Sequence, residues 1–315
     1  MALLLTEAEV ERVISMDAVI ARVEDAMREL GEGVAQNQPR RRVFPPGGSL
    51  NVMFASYPGG GRFGLKAYSI GRGGVRFLVL VFSQEDGSLE ALIEANLLGA
   101  YRTGAASAVA ASRLAPSGPV ELGVIGTGHQ ARTQVHALSR VLQLSQVRVH
   151  SRAAEHRDAF AAELREELGL AAEATGSGRE AVAGAGVVVT MTNSREPVLE
   201  SDWVQPGALV IAAGSNQPKN AELPAELIQQ AEAVVVDQLE AAQIESGDLL
   251  RAGFDWSRAV ELGAVVAGKA AGRRSPGGTV VFESHGLAIW DIAAACHVLE
   301  EARGARLGVE VPLFA

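Results

Sequence analysis

Apolar positions along the chain fall into three regimes. Residues 6–31, TEAEVERVISMDAVIARVEDAMRELG, carry apolar side chains at helical spacing, with Thr6 and Glu9 as a capping box and Gly31 as a C-terminal stop. This predicts one or two amphipathic helices. Between Arg41 and Phe82 the pattern breaks into short apolar runs separated by glycine, namely RRVFPP, SLNVMFASYP, RFGLKAYSIG and RFLVLVFS, which read as strands of an antiparallel sheet. Gln84 to Ser88 is a hairpin turn, and LEALIEANLL leads through YRTGAAS into a small-residue helix that ends at Leu114. The segment Ala115-Pro116-Ser117-Gly118-Pro119 marks a domain boundary.

From Val120 to about Phe282 strands alternate with helices. The strand runs LGVIG, QVRVH, GVVVTMT, ALVIAAG, AVVVD and TVVFES are apolar almost throughout, as strands covered on both faces of a parallel sheet require. A last helix, Gly286 to Gly308, is expected to return to the first domain. The fold class is therefore α/β: a doubly wound parallel sheet over residues 116–285, with a second, α+β domain made from residues 1–115 and 286–315.

Composition narrows the setting. With 48% apolar and 21% charged residues the chain is that of an ordinary globular protein. No apolar run approaches 18 residues and no leader pattern opens the sequence, so a cytoplasmic location without a membrane partner is expected. A net charge of −9 argues against nucleic acid as a partner. The single cysteine, Cys296, has no internal partner and reads as a packing residue; no Cys/His spacing suits zinc, and no metal is expected.

Chemistry enters at ELGVIGTGHQA, Glu121 to Ala131, where an apolar run gives way to Gly126-x-Gly128-x-x-Ala131 and then to a helical run. The first glycine permits a tight turn, the second lets the backbone approach a pyrophosphate, and Ala131 is small enough for helix to pack on strand. This is the mouth of a Rossmann dinucleotide-binding domain. At the end of the second strand, where the adenosine ribose is read, the chain has Ser151-Arg152 in place of a carboxylate. A hydroxyl followed by a guanidinium favours a 2′-phosphate, so NADP(H) is expected as the preferred cofactor, with NAD(H) possible. In the front half, Arg41, Lys66 and Arg102, the last beside Thr103, stand in apolar or glycine-rich surroundings. Each alone reads as a solvated charge; together they would clamp a carboxylate, and a lysine among arginines can lose enough basicity to transfer a proton.

Taken with GLKAYS, YRTGAASAVAASRLA, AAGSNQPKNAEL and ESHGLAIWDIAAA, these segments resemble the ornithine cyclodeaminase/mu-crystallin family over nearly the whole chain. The resemblance implies a substrate-binding and dimerisation domain built from both chain ends around a central Rossmann domain, and hence a homodimer. It implies that Arg41, Lys66 and Arg102 hold the substrate carboxylate, although Arg40 and Arg42 flank the first position and leave its register open by one residue. It places Gly126, Thr127, Gly128, His129, Gln130, Ala131, Ser151, Arg152, Thr190, Met191 and Thr192 along the dinucleotide, with Ser284, His285 and Gly286 near the nicotinamide. Where cyclodeaminases of the family have a catalytic aspartate, this chain has Asn216, and an amide is no general base near neutral pH.

The expectation is therefore an NADPH-dependent reductase of a cyclic imine carboxylate, Δ1-pyrroline-2-carboxylate or Δ1-piperideine-2-carboxylate, from the reductase-like branch of the family. Lys66 would supply the proton and Asn216 would orient substrate or water. The alternatives are a cyclodeaminase-type ammonia lyase, an alanine dehydrogenase-type oxidoreductase, and a protein like mu-crystallin that binds NADPH and a small ligand without turnover. Asp237 and Asp291 read as strand-end or helix-start hydrogen-bonding groups, and His285 as either a ligand contact or a satisfied buried histidine.

Overall fold

The first amphipathic run folds as two helices, Glu7–Val13 and Met16–Glu32. The Glu9 carboxylate accepts from the Thr6 N–H at 2.9 Å and from the Thr6 hydroxyl at 2.8 Å, which closes the first helix start. The second helix runs past Gly31. Its stop is Gly33, which adopts a left-handed φ of +83° and donates its N–H to the carbonyls of Glu29 and Leu30.

In the computed structural model residues 1–313 are described, and the chain divides into two units. One contains residues 1–106 and the segment from Leu287 onward; the other is Ser107–Gly286. The chain leaves the first unit inside the helix Asn96–Leu114, so the Ala115–Pro119 segment falls within the second unit and not at its edge. The strands before that helix are β1 (Ala2–Leu5), β2 (Gln36–Val43), β3 (Ser49–Tyr57), β4 (Arg62–Gly71), β5 (Gly74–Ser83) and β6 (Leu89–Glu94). Those of the second unit are β7 (Val120–Ile125), β8 (Leu144–His150), β9 (Ala172–Ala174), β10 (Val187–Thr190), β11 (Leu209–Ala212), β12 (Ala233–Val236), β13 (Ala259–Glu261) and β14 (Val280–Glu283). After the C-terminal helix, Ala288–Gly304, comes β15 (Val309–Val311).

In the first unit the order is β15-β1-β6-β5-β4-β3-β2, antiparallel except for the parallel pair β1–β6. The C-terminal helix lies on β3, β4 and β5 and against the helix Met16–Glu32, and its residues from Ala288 to Leu299 are all buried. The sheet face beneath it alternates with the other, so Met53, Lys66 and Val79, which are cross-strand partners, share the covered side.

The second unit is an all-parallel sheet ordered β13-β12-β14-β11-β10-β7-β8-β9. It has two strands more than the six apolar runs predict. Both additions, β9 and β13, are three-residue edge strands containing a glutamate, too short to carry a pattern. Connections run outward from β7 to β8 and β9 on one side, and from β10 towards β13 on the other. The neighbours β7 and β10 therefore flank the topological switch point, where an open α/β sheet binds its ligand at the carboxyl ends of the strands. No helix among the described residues is long and apolar enough to cross a membrane.

Candidate active site

Two groups of residues carry chemistry, one in each unit. In the first unit a single buried carboxylate gathers two cations. Asp291, in the first turn of the C-terminal helix, accepts through Oδ1 from Lys66 Nζ at 2.7 Å and from Arg102 Nε at 3.0 Å. None of the three side chains is more than 9% exposed. Each is delivered by a regular element: Lys66 by the covered face of β4, Arg102 by the helix Asn96–Leu114, Asp291 by a helix whose other early residues are apolar. Gly99 makes room, because a Cβ there would lie 2.9 Å from Lys66 Nζ, and Thr103 is tied to the same turn by donating its hydroxyl to the Gly99 carbonyl at 2.8 Å. Lys66 Nζ also lies 5.0 Å from the centre of the Phe77 ring, and the Arg102 guanidinium 5.8 Å from that of Trp290. Burial and then the charge of Arg102 pull Lys66 down to about 8, with Asp291 opposing them.

The third cation is Arg40 and not Arg41. A bulge between Gln38 and Arg41 sets two residues, Pro39 and Arg40, opposite Met53. Proline has no N–H to give the ladder, so the irregularity falls there. Arg40 consequently turns to the covered face, 5% exposed, with Nε 3.3 Å from Met53 Sδ and its guanidinium over the Tyr68 ring, close enough for its charge to act on Lys66. Arg41 is exposed and Arg42 half-buried.

In the second unit the glycine turn sits at the end of β7. Gly126 has φ +108° and donates its N–H to His150 at 2.9 Å; a Cβ there would lie 2.3 Å from the Met191 carbonyl oxygen at the end of β10. Thr127 follows it, half-buried, and Gly128 caps the helix His129–Val141 with open space where its Cβ would be. That helix start leaves N–H groups and the positive end of the dipole for an anion, with His129 exposed, Gln130 half-buried and Ala131 packed at its base. Along the neighbouring strand ends β7, β10, β11 and β14 come Gly126, Met191-Thr192, Gly214 to Asn216, and Ser284. Buried hydroxyls of Thr190 and Ser284 have no partner among the described residues, and such groups are rare unless a ligand or water completes them. A dinucleotide fits this donor set. Beyond β8, Ser151 donates its hydroxyl to the Ala153 carbonyl, Arg152 is exposed, and Arg157 donates to the Ser151 carbonyl at 3.0 Å, which brings a second guanidinium to the turn.

Buried acids hold these strand ends. Glu222 accepts from the N–H and hydroxyl of Thr192 (2.6 and 2.7 Å) and from the Gly214 N–H (2.8 Å), tying the loops after β10 and β11 together. Burial pushes it up to about 7 against those hydrogen bonds. Asp248 fixes the backbone N–H groups of Glu222 and Leu223, and burial followed by the charge of Glu283 raises its carboxyl. Asn216 lies half-buried in the turn where Ser215 Oγ accepts from the Gln217 N–H. The His285 ring is in the interior, with Nδ1 3.3 Å from Asp237 and Nε2 3.5 Å from Glu283. Burial opposes its charge, but Asp237 and then Glu283 outweigh burial and push the imidazole up to about 10. Asp237 also accepts from the His285 and Gly286 N–H groups, so this trio fixes the end of β14 and leaves the Ser284 hydroxyl without a partner among the described residues.

From the sequence alone Glu222 and Asp248 have no role, Arg40 is only a neighbour of Arg41 within a register open by one residue, and Asp291 is a helix-start hydrogen-bonding group or, in the lyase alternative, a stand-in for the missing carboxylate. The one signal for Asp291 was a lone charge in the apolar run LAIWDIAAA; such a residue needs a buried partner.

Residues 1–306 match the model of the ornithine cyclodeaminase/mu-crystallin family. A Δ1-pyrroline-2-carboxylate reductase of Bacillus cereus is 33% identical, covering 95% of this chain and 96% of its own. The structure of the Thermococcus litoralis Δ1-pyrroline-2-carboxylate reductase in complex with NADH and L-proline is 30% identical and superposes with a TM-score of 0.92 over 98% of this chain and all of that one. An archaeal alanine dehydrogenase dimer with bound NAD is 33% identical, with a TM-score of 0.94 over 99% of both chains. By sequence and by fold alike, the chain belongs to the ornithine cyclodeaminase/mu-crystallin family.

Proposed function

We propose that this NAD(P)-dependent oxidoreductase reduces a cyclic imine carboxylate, Δ1-pyrroline-2-carboxylate or Δ1-piperideine-2-carboxylate, to the cyclic amino acid, with NADPH as the preferred donor. The observation that carries the reading is the convergence of Lys66 and Arg102 on Asp291, with Arg40 beside them: two cations on one carboxylate leave net positive charge for a substrate anion. Arg102 offers a fork for two carboxylate oxygens and Arg40 a second charge. Reduced nicotinamide, when bound at the Gly126 turn, supplies the hydride. As the imine carbon takes that hydride, the C=N π electrons move to nitrogen, which takes a proton from Lys66; the lysine is then reprotonated from solvent. Asn216 orients substrate or water and has no proton to relay, which disfavours the ammonia-lyase reading. Open-chain 2-oxo acid with ammonia is the second reading, favoured by the likeness to the archaeal alanine dehydrogenase.

We place the reaction in the cytoplasm and take the working form to be a homodimer. Phe54, Phe63 and Leu78 expose apolar surface on the outer sheet face of the first unit, as a second copy would cover, and the alanine dehydrogenase relative is a dimer.

The deciding experiment is a panel of imine acids, pyruvate with ammonia, and ornithine, assayed with NADPH and NADH. Oxidation of NADPH by the cyclic imines is expected; its absence, with turnover of pyruvate or release of ammonia from ornithine, would replace this reading. In the same assay Arg152→Ala should raise the KM for NADPH at least tenfold and that for NADH less than twofold, because only the former carries the ribose 2′-phosphate. Equal effects would remove the phosphate assignment. Arg40→Ala should weaken L-proline binding about tenfold in calorimetry, while Arg41→Ala should leave it unchanged.

A further inference from the structure

Among 28 lysines and arginines this chain has three lysines, Lys66, Lys219 and Lys269, and of these only Lys66 is buried. Arginine holds an anion as well or better but does not release its proton at any working pH. A lysine kept between two arginines therefore answers a need for proton transfer, and that raises the question of what holds a proton on it. The groups facing Lys66 are Arg102 from the helix Asn96–Leu114, Arg40 from β2, the Phe77 ring from β5, and Asp291 from the C-terminal helix. Asp291 is the one acid among them. Burial and two like charges all favour the neutral amine, and a single carboxylate opposes them.

Resting on the reductase reading above, we propose that Asp291 is the positioning residue of the proton donor: its carboxylate fixes the Lys66 ammonium against Arg102 and retains the proton that the imine nitrogen receives. The geometry suits that task. Both hydrogen bonds end on the same oxygen, Oδ1, so the ammonium and the guanidinium are held as a pair at 2.7 and 3.0 Å. The other oxygen, Oδ2, is buried without a partner among the described residues, so no further donor draws on the charge. Asp291 also lies in the first turn of its helix, where the positive end of the helix dipole favours an anion. As a structural tie alone it would be costly, because a buried carboxylate between two apolar neighbours, Trp290 and Ile292, is rarely better than an apolar side chain.

The test is Asp291→Asn. Its kcat for imine reduction should fall at least tenfold while the KM of the imine acid and the affinity for L-proline stay the same or improve, since the anion now meets more positive charge. The alkaline limb of kcat/KM, expected near pH 8 for the unaltered enzyme from Lys66, should move down by one unit or more. Independently of turnover, NMR of ε-13C-lysine-labelled protein gives three signals, of which Lys66 is the one lost in Lys66→Arg, and its titration should move down in step. An unmoved titration and pH limb, with L-proline affinity and thermal stability falling together, would reduce Asp291 to a structural tie and overturn the proposal. Should Asp291→Asn not accumulate as folded protein, Asp291→Glu decides: Lys66 should titrate as before while kcat drops at least fivefold, and an unaltered kcat overturns the positioning role. If the unaltered enzyme reduces no imine acid, the reductase reading fails, whereas the lysine titrations still decide whether Asp291 governs Lys66.

Discussion

Lys66→Met is expected to lower imine reduction by roughly 10²–10⁴-fold, the range in which a positioned acid contributes, with the dissociation constant for NADPH unchanged. Methionine has a similar reach and suits the apolar neighbours of this position, and Asp291 still has Arg102 as counter-ion, so no uncompensated charge is left in the interior. The fold should therefore persist, with a thermal midpoint equal to or above that of the parent. Lys66→Arg is the sharper comparison. It keeps the positive charge and with it much of the affinity for L-proline, but a guanidinium does not yield its proton, and the larger head must crowd Gly99. Both variants should be inactive, one with weakened and one with retained carboxylate binding. The pH dependence follows with a definite sign. Lys66 is protonated below about 8 and neutral above it, so the reduction should fall as pH rises through that value, and oxidation of the cyclic amino acid, which needs the amine to accept a proton, should rise through it. Steady-state rates across pH 6–10 in both directions check this; two limbs of the same sign would exclude Lys66 as the titrating group.

Gly126→Ala should abolish dinucleotide binding and cost stability as well. The backbone at φ +108° lies where an L side chain is strained, worth about 1–3 kcal/mol, and the added methyl would stand 2.3 Å from the Met191 carbonyl oxygen. Relief requires the ends of β7 and β10 to part at the switch point. Affinity for NADPH should fall at least 100-fold in a fluorescence titration, and the thermal midpoint should drop by several degrees. Gly128→Ala separates the two causes. Its φ of −76° is ordinary and its Cβ direction is open, so the fold should be unaffected. Loss of affinity there can come only from the methyl meeting the bound phosphates. Unchanged NADPH binding in Gly126→Ala would place the dinucleotide elsewhere in the second unit.

How far the sequence discloses this molecule depends on whether a feature repeats along the chain. The buried strands β10, β11, β12 and β14 are plain because covering both faces forces three or four apolar residues in succession. The edge strands β9 and β13 leave no such trace, and β1 and β15 gain their pairing partners from opposite ends of the chain. Lys66 and Arg102 stand out as charges in apolar or small-residue surroundings. The family resemblance points to Arg41 with a register open by one residue, and what settles the parity is Pro39: a residue without an N–H interrupts the ladder, and the bulge there turns Arg40 to the covered face. Glu222, Asp248 and Asp291 act through partners at distant positions, and no local spacing encodes that. His285 could have faced a ligand or the interior. Asp237 and Glu283 on either side of its ring decide for the interior.

The acid that gathers the two cations, Asp291, lies 225 positions beyond Lys66 and 189 beyond Arg102. Closing so long a loop is not in itself prohibitive, because each doubling of loop length adds only about 0.6 kcal/mol. Its effect is on timing. Since a chain emerges from the ribosome from its N-terminus onward, β4 and the Arg102 helix are made while their counter-ion is still untranslated, so two cations that belong in an interior must wait in water until the last helix arrives. A nascent chain arrested before that helix would have its lysine hydrated and ordinarily basic, and so would lack an acid of the right strength. On the proposed role of Lys66, catalytic competence would be one of the last properties this polypeptide acquires during synthesis.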